Sequence, residues 1–249
     1  MSFSGKTAVV TGAAGGMGMA ISEALLTEGC NVALLDMKAP QADFAGLPGK
    51  AMVQKCDVSQ DDQVAAAITA AHSETGRLDY LVNAAAVLWF GRDRSLVDID
   101  LDTWNQALSI NLTSLVLTCR HAVPLMKRSG GGAMVHVAST QALRGDDQPQ
   151  DSYQAAKAAI LSLSKSLAIQ FAADGIRSNC LVPGPTESPM QDRWKSNPEA
   201  KQRTAAAVPL GRVGTPQDMA NAVLFLLSEK AAFITGTDLI VDGGLMARP

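Results

Sequence analysis

Tyr153 and Lys157 stand one helical turn apart in Tyr-Gln-Ala-Ala-Lys. The apolar stretch they open, Tyr153 to Phe171, reads as a helix, so both side chains share a face. Such a pair can move protons. A phenol in water titrates near pH 10, and a tyrosine acting as a base near neutrality needs that lowered by roughly 3 units, about 4 kcal/mol. An ammonium about 4 Å away, at an effective dielectric of about 20, supplies roughly 4 kcal/mol. Lys157 is therefore expected to depress the Tyr153 pKa. A surface aromatic beside a solvated lysine has the same spacing, and the rest of the chain has to decide between the two.

A second chemical signal lies near the start. Thr7 to Val10 is a β-branched, apolar run leading into Thr11-Gly12-Ala13-Ala14-Gly15-Gly16-Met17-Gly18, and a helical pattern follows from Met19 to Leu26. This is a strand, a glycine-rich turn and a helix start. Glycines let the backbone approach a ligand closely, and the free N–H groups at a helix start favour a pyrophosphate. The spacing is GxxxGxG and not the commoner GxGxxG, so the turn alone also fits a tight strand-to-helix connection. After the helix, Val32 to Leu35 ends in Asp36, where a second parallel strand would finish. An acidic residue about 20 positions beyond the turn binds the adenosine ribose hydroxyls and repels a 2′-phosphate. No Arg or Lys lies between Gly12 and Gly18 to attract that phosphate, although Lys38 is close by. NAD(H) is expected over NADP(H).

Holding these residues in place takes a framework, and the chain supplies one. Strand candidates are Ala8 to Thr11, Asn31 to Asp36, Ala51 to Cys56, Tyr80 to Asn83, Ala133 to Ala138, Ser178 to Val182 and Leu239 to Val241. Their near-continuous apolar character suits parallel strands covered on both faces. Helical patterns fill the gaps at about Gly16 to Glu28, Gln60 to Thr75, Leu101 to Lys127, Ser152 to Ala173 and Pro216 to Leu227. Alternation of this kind predicts an α/β, doubly wound parallel sheet, with ligands beyond the carboxyl ends of the strands.

A chain of 249 residues suffices for a single domain with a large core, and no internal linker or repeat interrupts it. The net charge of −3 and pI near 5.6 argue against a nucleic-acid surface or a basic membrane patch and favour a small-molecule partner. No signal segment precedes the first strand and no apolar run approaches a membrane span, so a cytoplasmic protein is expected. Cys30, Cys56, Cys119 and Cys180 are isolated, and His72, His121 and His136 are scattered. Neither a zinc site nor a His-based triad is expected, and no metal is called for.

Together the motifs identify a resemblance. Thr11-Gly-x-x-x-Gly-x-Gly18, Asp57, Asn83, Asn111, Ser139, Tyr153-x-x-x-Lys157, Pro183-Gly184 and Val241-Asp242-Gly243-Gly244 follow one another in an order that resembles the short-chain dehydrogenase/reductases over essentially the whole chain. One departure is Asn83-Ala84-Ala85-Ala86, where the family often has Asn-Asn-Ala-Gly; Ala86 is expected to crowd the approach to the cofactor slightly.

The resemblance implies a Rossmann-type domain over residues 1–249, with a substrate lid at about 187–208. It also implies reversible hydride transfer between a carbinol carbon and a nicotinamide. Tyr153 is then the acid–base, Lys157 tunes it and holds the nicotinamide ribose, Ser139 binds the substrate oxygen, and the Asn111 carbonyl holds a relay water. Cofactor contacts are implied at Gly12, Gly16, Met17, Gly18, Asp36, Asp57, Val58, Asn83, Tyr153, Lys157, Pro183 and Gly184. Either Thr186 or Ser188 takes the carboxamide, since Pro185-Thr186-Glu187-Ser188-Pro189 leaves the register open.

Substrate candidates are Gln141, Arg144, Gln150 and Trp194; in loops such residues are as readily solvated. An NAD-dependent dehydrogenase of a sugar, polyol or hydroxy acid is the favoured reading. A 3-oxoacyl-thioester reductase, with Lys127 and Arg128 as a carrier-docking patch, is the alternative, and a non-catalytic NAD-binding regulator a third. Ala155, Ala158, Ala159, Leu161, Leu163, Leu167, Ala168 and Phe171 cannot all face one sheet, so a homodimer or homotetramer is expected.

Overall fold

The β-branched runs become strands β1 (Thr7–Thr11), β2 (Asn31–Asp36), β3 (Ala51–Lys55), β4 (Tyr80–Asn83), β5 (Gly132–Val137), β6 (Ile176–Pro183) and β7 (Asp238–Val241). In a computed structural model of the chain, which describes residues 3–248, they form one parallel sheet ordered β3-β2-β1-β4-β5-β6-β7. Side chains alternate across the pleat into two cores. Val9, Ala33, Leu81, Met134 and Cys180 face helices α2 (Asp61–Thr75), α4 (Ser114–Arg128) and α5 (Asp151–Phe171). Ala8, Val10, Val32, Leu34, Val82 and Leu181 face α1 (Gly16–Thr27) and the late helix Pro216–Leu227. Burial on both faces is why these strands lack a polar alternation.

The strand order reverses between β1 and β4, the switch point where a doubly wound sheet opens a crevice at its carboxyl edge. That edge is sewn together. Thr11 Oγ1 accepts from the backbone N–H groups of Ala84 and Ala85, each at 3.1 Å. Gly12 sits at φ +67°, and a Cβ there would lie 2.8 Å from Ala85 Cα. Only glycine takes that conformation in that space.

Two segments differ from the sequence expectation. The helix expected over Leu101 to Lys127 is broken into α3 (Leu101–Leu108), a π turn at Ser109–Thr113, and α4. The segment expected as a substrate lid carries a short 3-10 turn at Pro189–Gln191, then α6 (Arg193–Ser196) and α7 (Pro198–Ala207). Asn197 starts α7 by accepting from the Ala200 N–H at 3.0 Å, with Pro198 in the first turn. The late helix, α8 (Pro216–Leu227), starts on a reciprocal Thr215/Asp218 capping box. Among the described residues no helix is long and apolar enough to cross a membrane. The four cysteines are free and buried, and burial pushes the Cys30, Cys119 and Cys180 thiols up to about 12.

Candidate active site

Helix α5 carries Tyr153 and Lys157 on its inner face, 8 % and 2 % exposed. The Tyr153 hydroxyl is hydrogen-bonded to that of Ser139, which stands just past the end of β5 and also accepts from the Gln141 N–H at 3.2 Å. Lys157 Nζ donates to the Val137 carbonyl at 2.7 Å and lies 5.5 Å from the centroid of the tyrosine ring. A serine, a phenol and an ammonium therefore converge at the carboxyl end of β5.

The pKa expectation is corrected here. Burial pushes the Tyr153 phenol up to about 12, the Ser139 hydrogen bond opposing it, and burial brings the Lys157 ammonium down to about 8. Desolvation favours the neutral form of both groups. The lysine charge is directed at a carbonyl beside the ring, and in the protein alone Tyr153 is a proton donor at neutral pH.

Asn111 lies in the π turn, 2 % exposed. Its Oδ1 accepts from the Val87 N–H at 2.8 Å and its Nδ2 donates to the Val87 carbonyl at 2.9 Å. A π turn displaces the local backbone ladder; here it accompanies a side chain that anchors the segment following β4. Asn83, at the end of β4, accepts from Thr118 Oγ1 at 2.7 Å and faces His136 Nδ1 at 3.0 Å. Burial lowers the His136 pKa to about 4, so the ring is neutral. With Nδ1 accepting from the Asn83 amide, its Nε2–H is left to donate to Ser178 Oγ at 3.2 Å. The polar chain through the sheet is thereby satisfied.

On the glycine-rich side, no side chain caps the start of α1, which leaves its first-turn N–H groups to an anionic ligand. Gly18 is obligatory for a different reason: a Cβ there would lie 2.2 Å from the Gly12 carbonyl oxygen. Met17 is half-buried on the same turn. Asp36 Oδ2 accepts from the Ala14 N–H and Oδ1 from the Lys38 N–H, each at 3.0 Å, so the acid is fixed beside the turn. Asp57 accepts from the Ser59 N–H and hydroxyl, and Val58 is buried behind it. Gly184 packs so closely on Asp242 that a Cβ would lie 2.7 Å from Asp242 Cβ. That contact ties Pro183-Gly184 to the Val-Asp-Gly-Gly motif.

Residues 12–246 match the protein family described as enoyl-(acyl carrier protein) reductase. A short-chain type dehydrogenase/reductase of Bradyrhizobium diazoefficiens is 40% identical over 253 residues, covering 98% of this chain and 89% of that protein. The 3-oxoacyl-[acyl-carrier-protein] reductase FabG of Chlamydia pneumoniae is 37% identical over 246 residues, covering 97% of each chain. Among solved structures, the ligand-free aldohexose dehydrogenase of Thermoplasma acidophilum superposes with a TM-score of 0.91 at 30% identity, covering 99% of this chain and 96% of that one. The chain belongs to the short-chain dehydrogenase/reductase family. Its members are oxidoreductases that use nicotinamide cofactors.

Within this dehydrogenase/reductase Ala86 carries no left-handed backbone strain, because no non-glycine among the described residues has positive φ. The substrate candidates divide. Gln141 Nε2 donates to Gln150 Oε1 at 2.9 Å and to Asp146 Oδ2 at 2.7 Å, forming a polar cluster next to Ser139. Arg144 is exposed and Trp194 is buried at 7 %, so neither joins it. Arg144 makes no ion pair among the described residues, and Trp194 packs inward from α6. Thr186 Oγ1 donates to the Gly184 carbonyl at 2.9 Å, whereas Ser188 borders the glycine turn, its Cβ 3.3 Å from where a Gly16 Cβ would stand. Sequence reasoning missed Asp93 and the contact between Phe90 and Arg193. The buried Asp93 holds the start of α5, and Arg193 of the lid stacks 4.0 Å over the Phe90 ring. All three meet their partners across long stretches of chain, which leaves no local pattern to read.

Proposed function

We propose that this chain is an NAD(H)-dependent oxidoreductase that interconverts a small polar secondary alcohol, of the sugar, polyol or hydroxy-acid class, with its ketone. The carrying observation is the half-buried Ser139 hydroxyl beside the buried phenol of Tyr153, with Lys157 beneath it. The uncapped α1 start and the fixed carboxylate of Asp36 fit a dinucleotide. Gly12, Gly16, Met17 and Gly18 would hold its pyrophosphate, Asp36 its adenosine ribose, and Asp57 and Val58 its adenine. Asn83, Lys157, Pro183, Gly184 and Ser188 would hold its nicotinamide half, Ser188 rather than Thr186 because the Thr186 hydroxyl is already bonded. When bound, the nicotinamide supplies or accepts the hydride.

The remaining steps belong to side chains. Ser139 hydrogen-bonds the substrate oxygen, Tyr153 donates its proton to that oxygen in reduction and removes it in oxidation, and Lys157 with a water on the Asn111 carbonyl relays the proton from solvent to Tyr153 in reduction and from Tyr153 to solvent in oxidation. A neutral phenol is ready for reduction; oxidation needs tyrosinate and gains with pH. The Gln141–Gln150 cluster leaves the Gln150 amide NH2 without a protein partner among the described residues, which suits a hydroxyl-rich substrate. The 30%-identical aldohexose dehydrogenase points the same way.

The similarity to FabG favours the alternative, a 3-oxoacyl-thioester reductase. Of the two expected docking cations only Arg128 is exposed and without a partner among the described residues. Lys127 is paired with Asp174 at 2.7 Å and stacked on Phe171. A panel of sugars, polyols, hydroxy acids and 3-oxoacyl thioesters, assayed with both nicotinamide cofactors, decides between them. Turnover confined to thioesters or to NADP(H) would overturn the reading.

The same reading includes self-association in the cytoplasm, where four buried free thiols fit a reducing compartment. Leu163, Leu167 and Phe171 of α5 and Leu115, Val116 and Val123 of α4 line an open apolar groove of about 580 Å³, which suits a second copy. Light scattering at micromolar concentration should return a dimer or tetramer; a monomer mass contradicts the proposal.

A further inference from the structure

The first turn of α5 exposes backbone N–H groups that need partners, and the residue at its start, Gln150, supplies none from its side chain. The partners come from a distant segment. Asp93 Oδ1 accepts from the Ser152 N–H at 3.1 Å and Oδ2 from the Tyr153 N–H at 3.0 Å. The Asp151 N–H donates to the Arg94 carbonyl at 3.4 Å, and the Asp151 carboxylate accepts in return from the Leu96 N–H at 2.8 Å. Asp93 itself is 4 % exposed and is held in a turn by its own N–H to the Trp89 carbonyl at 2.9 Å. Its two oxygens reach the last N–H before the proposed acid–base residue and that residue's own N–H.

From this geometry we infer that Asp93 is the positioning residue for Tyr153: it fixes the first turn of the catalytic helix, and with it the phenol, from the segment that follows β4. The inference rests on the proposed role of Tyr153 for its effect on turnover, but not for its effect on the tyrosine itself. The same turn carries Phe90, on which Arg193 of the lid is stacked. Asp93 therefore also joins the Arg193 segment to α5. A carboxylate suits the task because it accepts two N–H bonds at once and opposes the positive end of the helix. Asparagine offers one acceptor and turns an NH2 group toward the other N–H.

The chain has two tyrosines, Tyr80 and Tyr153, so protein labelled with 3-fluorotyrosine gives a ¹⁹F spectrum in which Tyr80→Phe assigns both signals. In Asp93→Asn the Tyr153 signal should shift or broaden while that of Tyr80 stays in place. Exchange of the Ser152 and Tyr153 amides should quicken by about 10-fold or more while that of Ile160 and Leu161 holds. Turnover should fall by roughly 10-fold or more with NADH affinity within about 2-fold, since a small misplacement of a reacting group costs rate and not cofactor contacts. Asp93→Glu should recover part of the loss.

An unchanged Tyr153 signal and unchanged amide exchange in folded Asp93→Asn would overturn the inference. A changed Tyr153 signal with unchanged turnover would uphold the positioning and overturn the role proposed for Tyr153. Should the variants not fold, exchange in the unsubstituted protein is decisive. The Ser152 and Tyr153 amides should then be protected to within about 10-fold of the Ile160 amide, whereas exchange as fast as at an uncapped helix end would refute the inference.

Discussion

The floor and the roof of this site are held by different kinds of interaction. The floor consists of the carboxyl ends of β1, β4, β5 and β6 with the inner face of α5. Its contacts are buried or partly buried and mostly involve backbone: Thr11 to the Ala84 and Ala85 N–H groups, Asn111 to both polar atoms of Val87, Lys157 to the Val137 carbonyl. Apart from the buried Gln150, Trp194 and Val208, the roof, residues 141–150 and 187–208, is held by exposed side chains. Arg193 on Phe90, Lys201 with Glu187 at 2.5 Å, Lys195 with Asp192 at 2.8 Å and Gln141 with Asp146 are its fastenings. Exposed ion pairs contribute about 0–1 kcal/mol each, whereas losing one partner of a buried polar pair costs about 1–3 kcal/mol. The floor is therefore rigid where atoms react, and the roof is loose enough to admit substrate.

Substitution on the floor should have the largest effect. Tyr153→Phe removes the proposed proton carrier and keeps a ring of the same shape, so NADH affinity should survive while turnover falls by roughly 100-fold or more. In the alcohol-oxidising direction the unsubstituted rate should rise with pH, because the neutral phenol held up to about 12 by burial must ionise to act as a base. That limb should disappear in the phenylalanine variant. A pH–rate profile of both proteins checks the point, and a Tyr153→Phe enzyme with near-normal turnover would place the chemistry elsewhere.

The edge between floor and crevice should respond less. Asp36→Ala together with Met37→Arg removes a charge that repels a 2′-phosphate and supplies one that binds it. Met37 is 55 % exposed, so the arginine meets no packing obstacle. Preference should move toward NADP(H) by about 10-fold or more in kcat/KM. Loss of the carboxylate also strands the Ala14 and Lys38 N–H groups, at a stability cost of about 1 kcal/mol. Equal or better use of NADP(H) by the unsubstituted enzyme would show that Asp36 does not select the cofactor.

The same contrast explains what could be read from the chain. The floor was legible because local rules generate it: apolar runs make the strands, glycines make the turn, and one helical period aligns Tyr153 with Lys157. The predicted strands all form, in one parallel sheet. The π turn at Asn111 was not legible, since the hydrogen bonds that accompany it run to Val87, 24 positions away. Asp93 was hidden in the same way, its partners lying 59 and 60 positions along the chain. The pKa of Tyr153 was misjudged because sequence spacing reports a nearby charge but not the depth of burial. Helix α7 is a different case. Asn197-Pro198 is a readable start signal, lost inside a segment read as a lid and nothing more.

The smallest effect is expected from the roof. An exposed cation over an aromatic ring contributes about 0.5–1 kcal/mol, and Arg193 is tied besides only to Gln191, itself on the lid. Arg193→Ala should therefore shift the balance between closed and open roof by about 2- to 5-fold and no more. KM for the carbinol substrate should rise within that range, and kcat should stay level or increase slightly if roof opening limits product release. NADH affinity should not change, since Arg193 reaches none of the glycine-turn or Asp36 contacts. Steady-state kinetics with saturating cofactor separates these terms. A loss of 30-fold or more in kcat would mean that the guanidinium takes part in the reaction and that roof and floor are not distinct after all.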